Sequence, residues 1–144
     1  MTIKLTMELI PKSSPFKNVR SEVSASEWNR IRKAVYATAN YKCEICGGVG
    51  KKHPVECHEI FEYDVENKEQ KLVRLISLCP PCHEVKHMGF AQIRGRGAQA
   101  RKHLKEVNGW TDKETDDYIR EQFKLYHERS KTNWTLNLDE LEKY

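Results

Sequence analysis

Two Cys-x-x-Cys pairs, Cys43/Cys46 and Cys79/Cys82, constrain this 144-residue chain more than any other feature. A two-residue spacer within a turn aims two thiolates at one point, and structural zinc takes four such ligands in a tetrahedron. Both pairs converge on one ion only if the 32 residues between them fold back on themselves. That interval is longer than a simple zinc ribbon but fits a hairpin held between two knuckles. A redox role is disfavoured, because there are two pairs and neither sits in a thioredoxin-like strand–helix pattern. A metal bound only by the folded chain adds its binding free energy to folding. The fifth cysteine, Cys57, falls outside both pairs.

The remaining pattern places elements around these knuckles. Residues 1–23, punctuated by Pro11 and Pro15, read as an arm that wraps the domain. A helix capped by Ser24 or Ser26 puts Trp28, Ile31 and Val35 on one face and ends near Asn40, so residues 24–42 pack on the knuckle unit. Val55 to Tyr63 and Leu72 to Leu78 read as two strands joined by a polar loop, Asp64 to Gln70. After Cys79, the Pro80-Pro81 step turns the chain into a helix around Cys82, with His83 and His87 four apart on one face. Residues 90–144 hold a basic segment and two further helices. One spans Gly97 to Val107 and stops at Asn108-Gly109. The other opens on the capping box Thr111-Asp-Lys-Glu and runs to about Ser130, with Tyr118, Ile119, Phe123 and Tyr126 on its apolar side. Trp134, Leu136, Leu138 and Leu141 dock the tail. A chain of this length fits one domain, residues 1–144, of α+β class.

Charge narrows the partner. Residues 106–144 carry six Lys/Arg against ten Asp/Glu, and residues 1–105 carry nineteen against eleven. Such asymmetry suggests a basic face and a polyanion. No run of about 18 apolar residues exists, which argues against a membrane span. The first residues lack the apolar core of a signal peptide, so a cytoplasmic location is expected.

Three of the six histidines fall in informative places. His58 lies on the first strand, His83 follows the fourth cysteine, and His87 comes a turn later. If the knuckles close, the hairpin packs against the helix and brings these imidazoles to one point apart from the thiolates. A divalent ion held by His83 and His87 can stabilise charge on a scissile phosphate. A neutral His58 can take a proton from water.

The string Cys43-x2-Cys46, Glu56-Cys57-His58-Glu59-Ile60 and Leu78-Cys79-Pro80-Pro81-Cys82-His83-x3-His87 resembles the HNH endonucleases. These belong to the His-Me finger, or ββα-metal, nucleases, and the members in question carry a four-cysteine structural zinc. The resemblance implies a ββα-metal finger over residues 43–89, embedded in additional α-helices. It further implies hydrolysis of DNA phosphodiesters with Mg²⁺, Mn²⁺, Ni²⁺ or Zn²⁺ as the catalytic ion beside the structural Zn²⁺. His83 and His87 match the helix-borne metal positions. Two registers remain on the first strand. If Cys57-His58 is the family's doublet, His58 is the general base and Cys57 stands as a metal ligand. If His58-Glu59 is the doublet, His58 is a ligand and Glu59 takes the base position. The first is preferred, because a carboxylate base is unusual in the family. Where members often carry an Asn five residues before the third cysteine, this chain has Arg74, and Asn67 in the hairpin loop is the substitute.

Residues 86–105 contain six Lys/Arg and no acid. Lys86, Arg94, Arg96, Arg101 and Lys102 are the expected DNA-backbone contacts, with glycines allowing close approach. The expected protein is a DNA endonuclease, monomeric or homodimeric. The alternative is a zinc-stabilised DNA-binding module without catalysis.

Overall fold

The computed structural model describes residues 3–144. It is an α+β arrangement of five helices and a three-stranded sheet among the described residues. Helix α1 spans Ala25–Thr38, strands β1 and β2 span Glu56–Asp64 and Glu69–Leu78, and helices α2 and α3 span Pro80–Lys86 and Met88–Ile93. Helices α4 and α5 span Gly97–Asn108 and Asp112–Arg129, and strand β3 spans Thr135–Asn137. No helix is long and apolar enough to cross a membrane.

Local chemistry accounts for most boundaries. The Ser24 side chain caps α1 by accepting from the Glu27 N–H. Thr111 and Glu114 complete the capping box that opens α5, satisfying two otherwise orphaned N–H groups. Helix α4 stops at Gly109, whose φ of 64° is left-handed. Strand β2 starts at Glu69, three residues before the expected Leu72, because Glu69–Lys71 pair antiparallel with Asp64–Glu62 of β1 and, on the other side, in parallel with β3. That pairing was invisible in the tail's short apolar pattern.

The β1–β2 hairpin is antiparallel, with His58 opposite Ile76. Its register shifts after Ile60, where Ile60 faces Arg74 but Phe61 faces Leu72, leaving Val73 as an extra residue. The bulge re-phases the strict alternation of β2. Leu72 and Leu75, three apart, therefore both join Phe16, Val19, Ile31, Val35 and Cys57 in one apolar cluster beneath α1. Ile76 and Leu78 join the other cluster, with Leu5, Met7, Val85, Met88 and Leu104 under α2, α3 and α4.

The arm does wrap the domain. Leu5 and Met7 are buried in the second cluster, the Glu8 N–H donates to the Lys86 carbonyl at 3.0 Å, and the Met7 N–H donates to the Tyr118 hydroxyl at 2.9 Å. Trp134 is buried, and Leu136, Leu138 and Leu141 pack against the α1 cluster, so the tail docks as expected.

Candidate metal centres and adjoining groove

The two knuckles meet. One sulfur from each of Cys43, Cys46, Cys79 and Cys82 lies within 4.8 Å of the others. All four are free thiols, and Cys46 Sγ is 3.6 Å from Cys79 Sγ. The edge of a zinc tetrahedron with Zn–S near 2.3 Å is about 3.8 Å, so the donor set and its spacing fit this ion. Gly47, at φ 75°, makes the turn after the first pair. Gly50 lies so close to the second knuckle that a Cβ there would sit 2.6 Å from Pro80 Cδ. Glu44, between the first two ligands, accepts from the Ser77 N–H at 2.7 Å and from Arg74 at 2.6 Å, which ties the first knuckle to β2. His103 on α4 places Nε2 3.1 Å from Cys82 Sγ, where an N–H can offset thiolate charge.

A second cluster lies apart from the sulfurs. Ligand-capable nitrogens of His58, His83 and His87 all fall within 4.8 Å of one another. Their ring centroids stand 5.1, 5.2 and 5.0 Å apart, a near-equilateral triangle with no pair stacked. His87 does not share a continuous helix with His83, as the four-residue spacing suggested. It occupies the break between α2 and α3 at φ −107°, ψ 51°. The triangle thus depends on a backbone kink that a helical-wheel argument does not contain.

Carboxylates orient two of the three rings. A carboxylate can only accept, so each partner nitrogen carries the proton. His58 Nε2 donates to Glu8 Oε1 at 3.0 Å, and His83 Nδ1 donates to Glu56 Oε1 at 2.9 Å. Glu56 also meets His53 Nε2 at 2.8 Å. The other nitrogens, His58 Nδ1 and His83 Nε2, are buried without any hydrogen-bond partner. Two orphaned lone pairs beside a third imidazole are costly unless something accepts them. A divalent cation does, and three neutral imidazoles with an open position form a known type of zinc site. The residues fit such an ion.

The electrostatics agree. Burial, then the neighbouring imidazoles, depress His87 from 6.5 to about 3, and burial also lowers His58 against the pull of Glu8. Both rings are neutral near pH 7. Burial alone would raise the Glu8 carboxyl, but the His58 hydrogen bond and the Lys86 charge overcome it and hold it down at about 2. The His83 hydrogen bond holds Glu56 at about 2 against burial.

A cavity of about 720 Å³ opens beside the triangle, walled by Glu59, His83 and His87 on one side and by α1 and the arm on the other. His58 is 0% exposed and forms no part of that wall. Glu59 does, with one oxygen 3.9 Å from His58 Nδ1.

Several expected residues lie elsewhere. Cys57 lines the same cavity but belongs to the apolar cluster beneath α1 and is not one of the imidazole group. Burial pushes its thiol up to about 12, and it is not among the groups placed to share an ion with the three imidazoles. Lys86 is 3% exposed, and its ammonium is paired with Glu8 and bonded to Thr6, so it cannot reach a nucleic acid. Arg96 is engaged by Glu84, and Arg101 by Asp112 and Asp116. Arg94 sits over the Phe90 ring at 5.3 Å without an ion pair among the described residues, and exposed Lys102 pairs with Glu106 at 3.9 Å. Asn67 binds Asp64 within its own loop and braces nothing at the site. The residues that sequence reasoning missed are Glu8, Glu56 and His103. Glu56 had a signal, since it stands two before His58 on one strand face. Glu8 had none.

No family model, curated protein or solved structure matches this chain.

Proposed function

We propose that the chain is a metal-dependent nuclease of the HNH, ββα-metal type that hydrolyses DNA phosphodiester bonds. The observation that carries this reading is the pair of buried, unpartnered nitrogens of His58 and His83, which converge with His87 at the wall of a groove. Strand β1, α2 and the break that follows α2 supply the three imidazoles, and the tetrathiolate cluster ties the chain before the hairpin to the start of α2.

Bound to the imidazoles, a divalent ion would supply Lewis-acid stabilisation of charge on the scissile phosphate. The chain's own groups do the rest. Glu8 and Glu56 fix the tautomers of His58 and His83, so that unprotonated nitrogens face the ion. The burial of His58 favours the register in which it is a ligand and Glu59 the base. Glu59, on the groove wall, receives the proton of the attacking water. Tetrathiolate zinc, held by Cys43, Cys46, Cys79 and Cys82, is structural and stands apart from the chemistry.

The test is plasmid cleavage by the purified protein with added Mg²⁺, Mn²⁺, Ni²⁺ or Zn²⁺, beside His83→Ala and Glu59→Gln. Metal-dependent nicking or linearisation lost in both variants supports the reading. Absence of cleavage with every metal, with DNA still bound, favours the non-catalytic DNA-binding module. Full cleavage by Glu59→Gln removes Glu59 from the base role.

A further inference from the structure

The surface opens on both sides of the His83–His87 pair. One limb, about 720 Å³, runs between the arm and α1 past Lys17, Arg20 and Arg32. The other, about 570 Å³, runs toward α3 past Lys52, Arg94 and Arg96. Glu56, His83 and His87 line both limbs, so the two join at the imidazoles and neither ends there.

The limbs differ in how many of their cations lack a carboxylate partner. On the α3 side Arg96 is neutralised by Glu84 and Arg94 packs on Phe90, so that among the described residues Lys52 and Arg94 are the two without an ion pair. On the α1 side Lys17 and Arg20 are exposed, and the Arg32 guanidinium donates to the neutral Asn29 at 3.0 Å. Among the described residues, these three form no ion pair with a carboxylate. Unneutralised cations drawn from two elements, ranged along a limb that leads to a metal-binding triangle, suit a continuous polyanion better than a small anion.

The geometry points to a path for the substrate strand, and this inference rests on the nuclease reading above. The phosphodiester backbone on one side of the scissile bond lies along α1, held by Lys17, Arg20 and Arg32. It then crosses the imidazoles toward Lys52 and Arg94. The main phosphate contacts therefore fall on the arm and α1, away from the 86–105 segment that charge clustering alone had suggested.

The experiment measures binding of a short DNA duplex against salt concentration, with no divalent ion added beyond the structural zinc. It compares wild type, the combined Lys17→Ala/Arg20→Ala/Arg32→Ala variant, and Arg94→Ala/Arg96→Ala. Where half-buried Arg32 affects melting, the exposed pair Lys17→Ala/Arg20→Ala replaces the triple. Loss of three phosphate contacts lowers the slope of log affinity against log salt by about 2.7, and of two by about 1.8. The expected result is that loss of slope in the α1-side variant, larger than any change in Arg94→Ala/Arg96→Ala. An unchanged slope in the α1-side variant, or a loss confined to Arg94→Ala/Arg96→Ala, overturns the path. Hydrolysis of bis(p-nitrophenyl) phosphate by wild type with added metal reads the cleavage chemistry separately, because this diester is too small to reach the α1-side cations. Its failure counts against the nuclease reading, whereas an unchanged salt slope counts against the path.

Discussion

Glu8, on the N-terminal arm, accepts a hydrogen bond from Nε2 of His58, fifty residues away on β1, at 3.0 Å. Its second oxygen pairs with the buried ammonium of Lys86. One carboxylate thus does two things. It sets the His58 tautomer, and it neutralises a cation that would otherwise stand uncompensated inside the protein.

Glu8→Gln is therefore expected to weaken metal binding at the imidazole cluster by roughly 10–100-fold, the usual effect of losing an outer-shell partner. It also leaves Lys86 without its counter-charge, which costs about 3–5 kcal/mol for a broken buried pair. Metal titration and urea unfolding check the two effects. Unaltered metal affinity would mean that Glu8 does not orient His58.

Cys79→Ser should release the structural zinc and unfold the knuckle unit, since the ion's binding energy is part of the folding energy. Zinc content and thermal melting read this directly. A variant with one full zinc at the cysteines and native melting would refute the tetrathiolate site.

Gly50→Ala places a methyl group against Pro80 and the His53 carbonyl, where backbone and a rigid ring leave little room to yield. Overpacking of this kind costs about 1–3 kcal/mol. The midpoint of urea unfolding should fall with no change in slope. An unshifted midpoint would show that the knuckles can move apart.

With no ion at the imidazoles, His87 gives a signed pH dependence. Its folded value lies near 3, below the unfolded 6.5, so the unfolded chain takes up the proton first as pH falls. Stability is lost through the window from about pH 6.5 to about pH 3, by at most about 1.4 kcal/mol per pH unit. Glu8 adds to this in a lower window. Its depressed carboxyl contributes stability above 4.5 that disappears as pH falls to about 2. His87→Gln should flatten the fall in melting temperature across the upper window relative to wild type. Parallel curves would contradict the assignment.

The knuckles and the imidazole triangle were legible because ligand spacing is a local property. Cys-x-x-Cys fixes a turn, and His58, His83 and His87 belong to elements that the knuckles bring together. The caps at Ser24 and Thr111 were legible for the same reason. What was not legible depends on distant contacts. Charge clustering pointed to Lys86 as a DNA contact, yet Glu8 arrives from the arm and buries it. The kink at His87, the extra residue at Val73 and the parallel pairing of β3 leave no periodic trace. On sequence, His58 is preferred as the base; its burial supports the other register, and burial is a tertiary property.

Cobalt(II) titration of metal-free protein, following visible absorption with wild type beside His83→Ala/His87→Ala, reads the two metal sites directly. Two sites are expected: one with thiolate charge-transfer absorption, present in both proteins, and one without it, present only in wild type. A single thiolate site in wild type, or a second site that survives loss of both histidines, would contradict that expectation.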